Sequence, residues 1–442
     1  MKKKNKVFLM IMAVLVFVGV LNVRAAITTG DDLGSDGVSK IITETSTLTV
    51  TSVNAGDKLS AYKILDAFYN ANTNVVSYEF TDDFQAYLDE ESNNLTIDDY
   101  FDLSSGDIAS GSTTSTSELD ALASGYAAYI KTNSVTGTEM NVAGTTASAT
   151  LAAGAYLVLP TETLRVYAVM VGNLDYTADG NGWSINSETI VAKVDDAGIT
   201  KGVGAEGVPS GSYGIGDVVP YIITGTVPTY PTNATNKTYV IHDTISSGLT
   251  FQAVTSMKIS DGDTPLTNNN GTFTNGTGQT VAVAEIQGQN LTITFTVDNL
   301  TAKTVKVEYG ATVNESAVVG GAGNSNSATL EYSNDPYGDG TYNTGTDGDD
   351  EDIVPIYVYG IDIFKHTQSG DTPLSGATFE IYKDSALEEL VDTVTTGEDG
   401  HIKTKGLGEG TYYVKETKAP AGYQLLTDTL TVKIGPNQSG GE

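Results

Sequence analysis

A glutamate near the C-terminus is the first side chain whose position calls for a chemical explanation. Residues 411–416 (TYYVKE) alternate as a strand does, so Glu416 shares one face with Tyr412 and Val414. A carboxyl group on an apolar face is costly unless another buried group needs it there. The segment 419–423 (APAGY) then ends the strand in a stiff turn. The pattern predicts a buried carboxyl with a chemical partner; the alternative is an edge-strand glutamate that faces water.

The stretch 411–423 resembles the E-box of the B-type repeat of Gram-positive surface proteins, which is found in sortase-assembled pilins. The resemblance implies that Glu416 promotes a spontaneous amide bond between a lysine and an asparagine side chain. The family's lysine falls on Lys365 in YGIDIFKHT. Strand alternation puts this lysine on one face with Ile361 and Ile363, which suits a buried amine.

In the family, the asparagine sits on one further strand. The sequence stops at LTVKIGPNQSGGE without that strand, and Asn437 lies in a Gly/Pro/Ser tail that does not suit the role. The family's C-terminal sorting signal is missing too. We therefore expect a truncated third domain that carries Lys365 and Glu416 without an acceptor asparagine.

Three segments in the middle of the chain resemble the pilin domain that forms its own isopeptide bond. They are IGDVVPYIITGTVP (215–228), IHDTISSGLTF (241–251) and NSATLEYSNDP (326–336). The resemblance puts the family's lysine on Lys201, its aspartate on Asp243 and its asparagine on Asn326.

Strand alternation supports the aspartate and the asparagine. Asp243 shares a face with Tyr239 and Ile241, and Asn326 shares a face with Leu330. Both polar groups therefore point where the apolar residues point.

Two choices have competitors. Asn324 has the same parity as Asn326 and is the second candidate for the asparagine. Lys193 and Lys201 both match the family's opening lysines. We assign the internal bond to Lys201 because Ile-Thr-Lys starts the sandwich.

Amide formation needs a neutral amine, because an ammonium has no lone pair. Burial lowers the pKa of a lysine and raises that of a carboxyl, by up to about 3–5 units. We therefore expect both groups to be neutral in one apolar core, with the protonated acid hydrogen-bonded to the amide oxygen as the oxyanion develops. Such a reaction is a single-turnover maturation step and not an enzyme activity. It needs neither cofactor nor metal.

The first 25 residues have the features of a secretory signal peptide: a lysine cluster, the apolar run 7–20, and small residues at Val23 and Ala25, with cleavage after Ala25. This run is too short for a stable membrane span. The net charge of −32 argues against binding to nucleic acids or anionic membranes. The chain has no cysteine, so disulfides do not stabilise it, and internal isopeptide bonds would serve instead.

We predict a mainly β protein with tandem immunoglobulin-like β-sandwich domains and some helix in the N-terminal domain. Helical spacing of Phe84, Tyr87 and Leu88 indicates that helix. The predicted divisions are a signal peptide (1–25), an N-terminal pilin domain (26–193), an isopeptide-forming sandwich (194–337), an acidic Gly/Asp linker (338–352) and a B-type domain (353–442). The linker is interpreted as a solvated connector. A calcium loop is the alternative, although the spacing of an EF-hand is missing.

The only tryptophan, Trp183, is followed ten residues later by Lys193 in WSINSETIVAK. In pilin shaft subunits, a Trp is followed at a similar distance by Tyr-Pro-Lys. A sortase joins that lysine to the C-terminus of the next subunit. Lys193 is therefore the candidate sortase acceptor. The Tyr-Pro is missing here, so an ordinary linker lysine is the alternative.

The resemblance as a whole predicts a structural pilin shaft subunit on the cell surface, attached to the cell wall. Its partners would be other copies of the chain and a pilus sortase. The alternative within the same class is a tip or basal adhesin that binds a host ligand. A secreted hydrolase is a remote alternative, because His242, His366 and His401 occur without a serine-elbow motif. GVGAEG (202–207) matches a dinucleotide motif in letters only, since no helix follows it.

Overall fold

The computed structural model describes residues 33–34, 36–90, 116–163, 165–178, 182–231, 234–338, 341–343 and 352–435, except for the side chains of 116–122, 342 and 343. The predicted signal peptide, Asn437 and most of the acidic linker lie outside these residues. Strands dominate the described chain, as predicted. Within it, no helix combines the length and the apolar character needed to cross a membrane.

The chain divides into two compact units. The first comprises the described parts of 1–197, 228–238 and 332–342, and the second those of 198–227, 239–331 and 343–442.

In its described residues, the first unit has two larger sheets, two two-stranded pairs and two helices. Its strands are β1 (Lys40–Ile41), β2 (Thr45–Thr51), β3 (Lys58–Asn70), β4 (Val75–Phe80), β5 (Thr138–Glu139), β6 (Asn141–Ala143), β7 (Thr146–Ala152), β8 (Gly154–Glu162), β9 (Val166–Tyr167), β10 (Met170–Leu174), β11 (Tyr176–Ala178), β12 (Trp183–Ile185), β13 (Glu188–Val191) and β14 (Val194–Asp195). One larger sheet has the order β1-β3-β8-β10, with β4 and β5 also paired to β3; the other has the order β13-β2-β7-β6, and the two-stranded pairs are β11-β12 and β14-β9. Apolar residues from the two sheets, among them Leu48, Leu59 and Val158, form a common core.

The two helices are α1 (Asp82–Glu90) and α2 (Thr116–Asn133). Phe84, Tyr87 and Leu88 are the buried residues of α1, which confirms the helical interpretation of their spacing. The ring of Phe84 meets that of Tyr126 edge to face, with centroids 4.7 Å apart. Aromatic packing of this kind holds the helix pair on its sheet.

The second unit contains a sandwich formed by the described parts of 198–227 and 239–331. Its strands are β15 (Gly198–Val203), β16 (Gly211–Ser212), β17 (Val218–Thr226), β18 (Tyr239–Ile245), β19 (Leu249–Phe251), β20 (Lys258–Asp261), β21 (Thr264–Pro265), β22 (Thr267–Asn269), β23 (Thr272–Thr274), β24 (Thr280–Gln287), β25 (Asn290–Phe295), β26 (Thr304–Val313) and β27 (Asn326–Tyr332), with short 3-10 turns at Val254–Ser256 and Val297–Asn299; β28 (Tyr342–Asn343) and β29 (Asp352–Ile353) follow. One sheet has the order β15-β17-β26-β20-β21, and the other includes the run β22-β23-β24-β25-β18-β27. Alternating apolar residues of β26 and β27 point between the sheets and fill the core.

Residues 352–358 lie along this sandwich. β29 pairs with β27, the amide of Val354 donates to the carbonyl of Asn326 at 2.9 Å, and β30 (Ile356–Tyr357) runs parallel to β16. Val354, Ile356 and Val358 are buried. The predicted division at 352/353 therefore falls within a stretch that is hydrogen-bonded to the middle sandwich.

The remaining strands are β31 (Asp362–Phe364), β32 (Thr378–Tyr382), β33 (Leu390–Thr395), β34 (His401–Lys403), β35 (Gly410–Lys418) and β36 (Leu430–Ile434). β31 pairs with β34, and the other four form a sheet of order β33-β32-β35-β36. Along β35, Tyr412, Val414 and Glu416 are buried, as their alternation predicted.

Candidate functional site

A lysine, a carboxyl and a carboxamide meet inside the middle sandwich. Lys201 on β15 of one sheet extends toward Asp243 and Asn326, which lie on β18 and β27 of the facing sheet. The Lys201 Nζ contacts Asp243 Oδ2 and also Asn326 Oδ1. The three residues are 2%, 1% and 0% exposed. The structure thus brings together all three residues assigned to this site.

Asn324 lies outside the site, although it is 1% exposed. Its Oδ1 accepts from the amide of Val318 at 2.8 Å, and its Nδ2 donates to the Val318 carbonyl at 3.0 Å. The side chain therefore closes a loop, and Asn326 is the asparagine at the amine.

Burial acts on the two ionisable groups in opposite directions. Desolvation lowers the pKa of Lys201 below its ordinary value, against the opposing effect of the Asp243 charge. Desolvation raises the pKa of Asp243, against the opposing effects of Lys201 and Tyr309. The site therefore favours a neutral amine beside a protonated acid, which is the protonation state that amide formation needs.

Tyr309, which the sequence analysis did not single out, completes the polar cluster. Its hydroxyl donates to Asp243 Oδ2 at 2.8 Å and accepts from Asn326 Nδ2 at 3.0 Å. The ring stacks on Tyr221, and the Lys201 Nζ lies 5.9 Å and 5.5 Å from the two ring centroids. The alternation of β26 does indicate that Tyr309 faces the core, but a core-facing tyrosine is common and was not a signal by itself.

One expected contact differs in the structure. The acid was predicted to hydrogen-bond the amide oxygen, whereas Asn326 Oδ1 faces the lysine amine and Asp243 Oδ2 faces the amine and the Tyr309 hydroxyl. The carboxyl reaches the asparagine through the phenol, by way of the amide nitrogen. The sequence analysis left out the tyrosine that lies between them in the unreacted site.

Asp352 is a second residue that the sequence analysis missed. The Asp352 Oδ2 accepts a hydrogen bond from the backbone N–H of Lys201. Lys201 lies on β15, which is the edge strand of its sheet. The negative charge also acts on the lysine amine and favours its protonated form. Asp352 was assigned to a solvated linker, and its pairing through β29 gives it a structural role instead.

Lys365 and Glu416 meet in the third domain, as predicted. Lys365 Nζ lies 2.9 Å from Glu416 Oε1, and the Glu416 side chain is fully buried whereas that of Lys365 is 22% exposed. Glu416 Oε2 also accepts the amide of Leu426 at 2.6 Å. No asparagine occurs among the described residues of this domain, so the pair has no asparagine partner among them.

Lys193 lies between β13 and β14 with an exposed side chain. Its carbonyl accepts from Ala168 at 3.0 Å, and the neighbouring Ala192 is buried and donates to Thr51 at 2.9 Å. Trp183 stacks on Tyr176 with a 10° interplanar angle. The lysine therefore combines an ordered backbone with an accessible amine.

Each histidine lies beside a carboxylate at the surface of the described chain. His242 is 3.0 Å from Glu331 on the face of β18 opposite Asp243, as alternation predicted. His366 and His401 pair with Asp371 and Asp362 at 3.2 and 3.0 Å. The described contacts of the three histidines therefore include no serine and do not form a hydrolase triad.

The first unit also contains a buried carboxyl, Glu188 on β13. It accepts the amide of Asn173, and burial raises its pKa from 4.5 to about 7. The folded state therefore holds this proton more tightly than the unfolded chain does. Stability from this group is fully present below about pH 4.5 and is lost as the pH rises toward 7.

We expect Glu188→Gln to remove this pH dependence. The variant should match the wild type near pH 4.5 and exceed it by about 2–3 kcal/mol at pH 8. Urea unfolding followed by the fluorescence of Trp183, the only tryptophan, measures the effect in this unit. Glu139→Gln, at an exposed carboxylate of the same unit, is the control. Equal pH profiles for wild type and Glu188→Gln would contradict the prediction.

Two family models match parts of the chain. Residues 215–336 match the Gram-positive pilin backbone subunit 2, Cna-B-like domain, and residues 360–441 match the SpaA prealbumin-like fold domain. Both matches fall on the domains that carry the lysine–carboxyl pairs.

Similarity to known proteins extends over most of the chain. The trypsin-resistant surface T6 protein of Streptococcus pyogenes serotype M6 is 28% identical over 412 residues, which is 88% of this chain and 72% of the relative. The solved structure of the T6 backbone pilin of serotype M6 S. pyogenes aligns with a TM-score of 0.70 and 25% identity, over 88% of this chain and 80% of that one. The full-length major pilin SpaD of Corynebacterium diphtheriae shares the fold, with a TM-score of 0.51 and 18% identity over 91% and 93% of the two chains.

These matches support a Gram-positive major pilin built of immunoglobulin-like and prealbumin-like domains. The family and the fold class predicted from the sequence are thereby confirmed.

Proposed function

We propose that this chain is a structural shaft subunit of a cell-surface pilus, secreted by its signal peptide and joined to other copies by a pilus sortase. The relatives are backbone pilins, which supports a structural rather than an enzymatic role. Within each subunit, we propose that the middle domain closes an amide bond between Lys201 and Asn326, assisted by Asp243. We place the limits of that domain near residues 198 and 358, because β14 pairs with β9 of the first unit and residues 352–358 pair with strands of the sandwich.

The observation that supports the cross-link best is the contact of one buried amine with both a carboxyl and a carboxamide. A rigid core that holds nucleophile and electrophile together provides effective molarities of roughly 10⁵–10⁸ M. The neutral protonation state favoured by burial gives the amine its lone pair. Each chain would release one ammonia and form one bond, so the reaction is a single maturation step and not enzymatic turnover.

The proposed bond would join the two sheets of the sandwich and close a loop between residues 125 positions apart. By analogy with a disulfide that closes a loop of this length, it would stabilise the domain by about 5 kcal/mol. Unlike a disulfide, the amide resists reductants. The amide would therefore give a chain without cysteine a covalent cross-link between its sheets.

The third domain is proposed to hold a prepared lysine–carboxyl pair, Lys365 and Glu416, that reacts only where an asparagine reaches it. For polymerisation, we propose Lys193 as the acceptor amine for the sortase. The exposed amine on an ordered backbone supports this role.

The cross-link is tested by the intact mass of the purified protein. We expect the mass to fall short of the sequence by one ammonia, and peptide mapping to recover a branched peptide that joins Lys201 to Asn326. The matched control is Asn326→Ala, which should show the full calculated mass. A wild-type mass without any loss would overturn the proposed bond. Loss of a second ammonia would mean that Lys365 has also reacted.

A further inference from the structure

We infer that Tyr309 is a catalytic residue of the cross-linking reaction, passing a proton from Asp243 to the amide nitrogen of Asn326 as ammonia leaves. This inference rests on the proposed Lys201–Asn326 bond and adds a step to it. It is carried by the position of one buried hydroxyl between the carboxyl and the leaving nitrogen.

The need for such a group follows from the atoms that must move. The Lys201 Nζ–Asn326 Cγ bond forms, the Cγ–Nδ2 bond breaks, and one proton must travel from Nζ to Nδ2. An amide nitrogen that leaves without a proton is a very poor leaving group. Asp243 Oδ2 contacts Nζ, and the described contacts of the carboxyl include no bond to Nδ2. The carboxyl can therefore exchange protons with Nζ directly, but it can pass a proton to Nδ2 only through another group.

Tyr309 fills the gap. Its hydroxyl is 2.8 Å from Asp243 Oδ2 and 3.0 Å from Asn326 Nδ2, so one oxygen is within hydrogen-bond distance of both groups. The phenol is buried and stays protonated, because burial and the neighbouring Asp243 charge hold its pKa well above its ordinary value. A continuous chain Nζ–Oδ2–OH–Nδ2 results.

The direction of the hydrogen bonds changes during the reaction. In the resting site the phenol donates to Oδ2 and accepts from Nδ2, because a conjugated amide nitrogen is no acceptor. When Nζ attacks, the Cγ=O π pair moves to Oδ1, Cγ becomes tetrahedral, and Nδ2 regains its lone pair. Tyr309 then donates to Nδ2, the protonated Asp243 donates to Tyr309, and Nζ returns a proton to Asp243. The Oδ1 lone pair then re-forms the Cγ=O bond as the Cγ–Nδ2 bond breaks, and its bonding pair leaves on the protonated nitrogen. Each relay group has given one proton and received one, and the products are a secondary amide and ammonia.

The test compares how fast four full-length proteins lose ammonia: wild type, Tyr309→Phe, Tyr239→Phe and Asp243→Asn. Tyr239→Phe is the matched control, because it removes a buried hydroxyl of the same sandwich that donates instead to the Gly198 carbonyl at 3.3 Å. Each protein is purified in the cold soon after synthesis and then warmed, and intact mass is read over time. Near-ultraviolet circular dichroism checks the fold.

We expect wild type and Tyr239→Phe to be fully cross-linked at the first reading, and Asp243→Asn to remain unreacted. Tyr309→Phe should fold but lose ammonia at least about 100-fold more slowly, the usual contribution of a positioned general acid. If Tyr309→Phe does not fold, Tyr309→His and Tyr309→Leu are compared, since only histidine can pass a proton. The histidine variant should then react faster than the leucine variant.

Two results separate this inference from the proposal beneath it. If wild type reacts and Tyr309→Phe reacts equally fast, or the histidine and leucine variants react alike, the relay is wrong and the cross-link stands. If wild type itself loses no ammonia, the cross-link and the relay are both overturned.

Discussion

Asn326→Ala is expected to lengthen the pulled molecule by about 400 Å, because residues 202–325 would then extend under force. In the cross-linked protein, force that enters at Lys201 passes through the amide to β27 and bypasses that loop. The two residues are 125 positions apart, and an extended chain spans about 3.3–3.6 Å per residue. Single-molecule pulling from the two ends of the chain measures the gain directly.

The same variant should lower the free energy of unfolding of the middle domain by about 5 kcal/mol, the chain-entropy effect of opening a loop of this length. Calorimetry should show this as a transition at lower temperature. Asn324→Ala is the matched control, since it removes an equally buried asparagine that bonds only to the backbone of Val318. It should keep the cross-link and the short extension. If the Asn326→Ala protein extends no further under force than the Asn324→Ala protein, the proposed Lys201–Asn326 bond does not carry the force.

The inward-facing positions of this site could be predicted from the sequence because strand alternation is a local property. Asp243 and Asn326 lie in strands whose other inward residues are apolar, and the structure buries both. Their meeting with Lys201 was not local, since it joins two sheets across long stretches of chain. Resemblance to a known family supplied that pairing.

Tyr309 and Asp352 show where sequence reasoning ends. Alternation says that Tyr309 points inward, but the placement of its hydroxyl between two polar groups depends on three strands at once. Asp352 follows an acidic Gly/Asp run that is typical of a solvated connector. The apolar alternation of Val354, Ile356 and Val358 is a strand signal that follows directly. The predicted domain division at 352/353 separated Asp352 from this strand, so its structural role was missed.

The third domain illustrates the opposite case, in which a short motif predicts a contact well. The resemblance of 411–423 to the E-box implied that Glu416 acts on a lysine, and Lys365 Nζ is 2.9 Å from its carboxylate. A motif performs well here because both residues belong to one small domain, in which the residues before Lys365 and those before Glu416 pack into one hydrophobic core.

Lys193→Arg is expected to abolish covalent pilus polymers. Arginine keeps the charge and the approximate length of the side chain, but its guanidinium is not a primary amine that can accept an acyl group. The Lys193 side chain is exposed while its backbone is held by hydrogen bonds, so the substitution should leave the fold intact. The measurement is an immunoblot of cell-wall extracts from the producing bacterium carrying the substitution, in which a ladder of high-mass polymers should collapse to monomer.

Loss of the polymer ladder points to Lys193 only if replacing another exposed lysine leaves the ladder intact. The control is therefore Lys258→Arg, at an exposed lysine on β20. That variant should polymerise like the wild type. Monomer from Lys193→Arg should also retain the ammonia loss of the middle domain, because the proposed internal amide and the proposed intersubunit bond use different lysines. A ladder that persists in Lys193→Arg would assign polymerisation to another amine. A ladder lost in both variants would show a general effect of lysine replacement and would remove the case for Lys193.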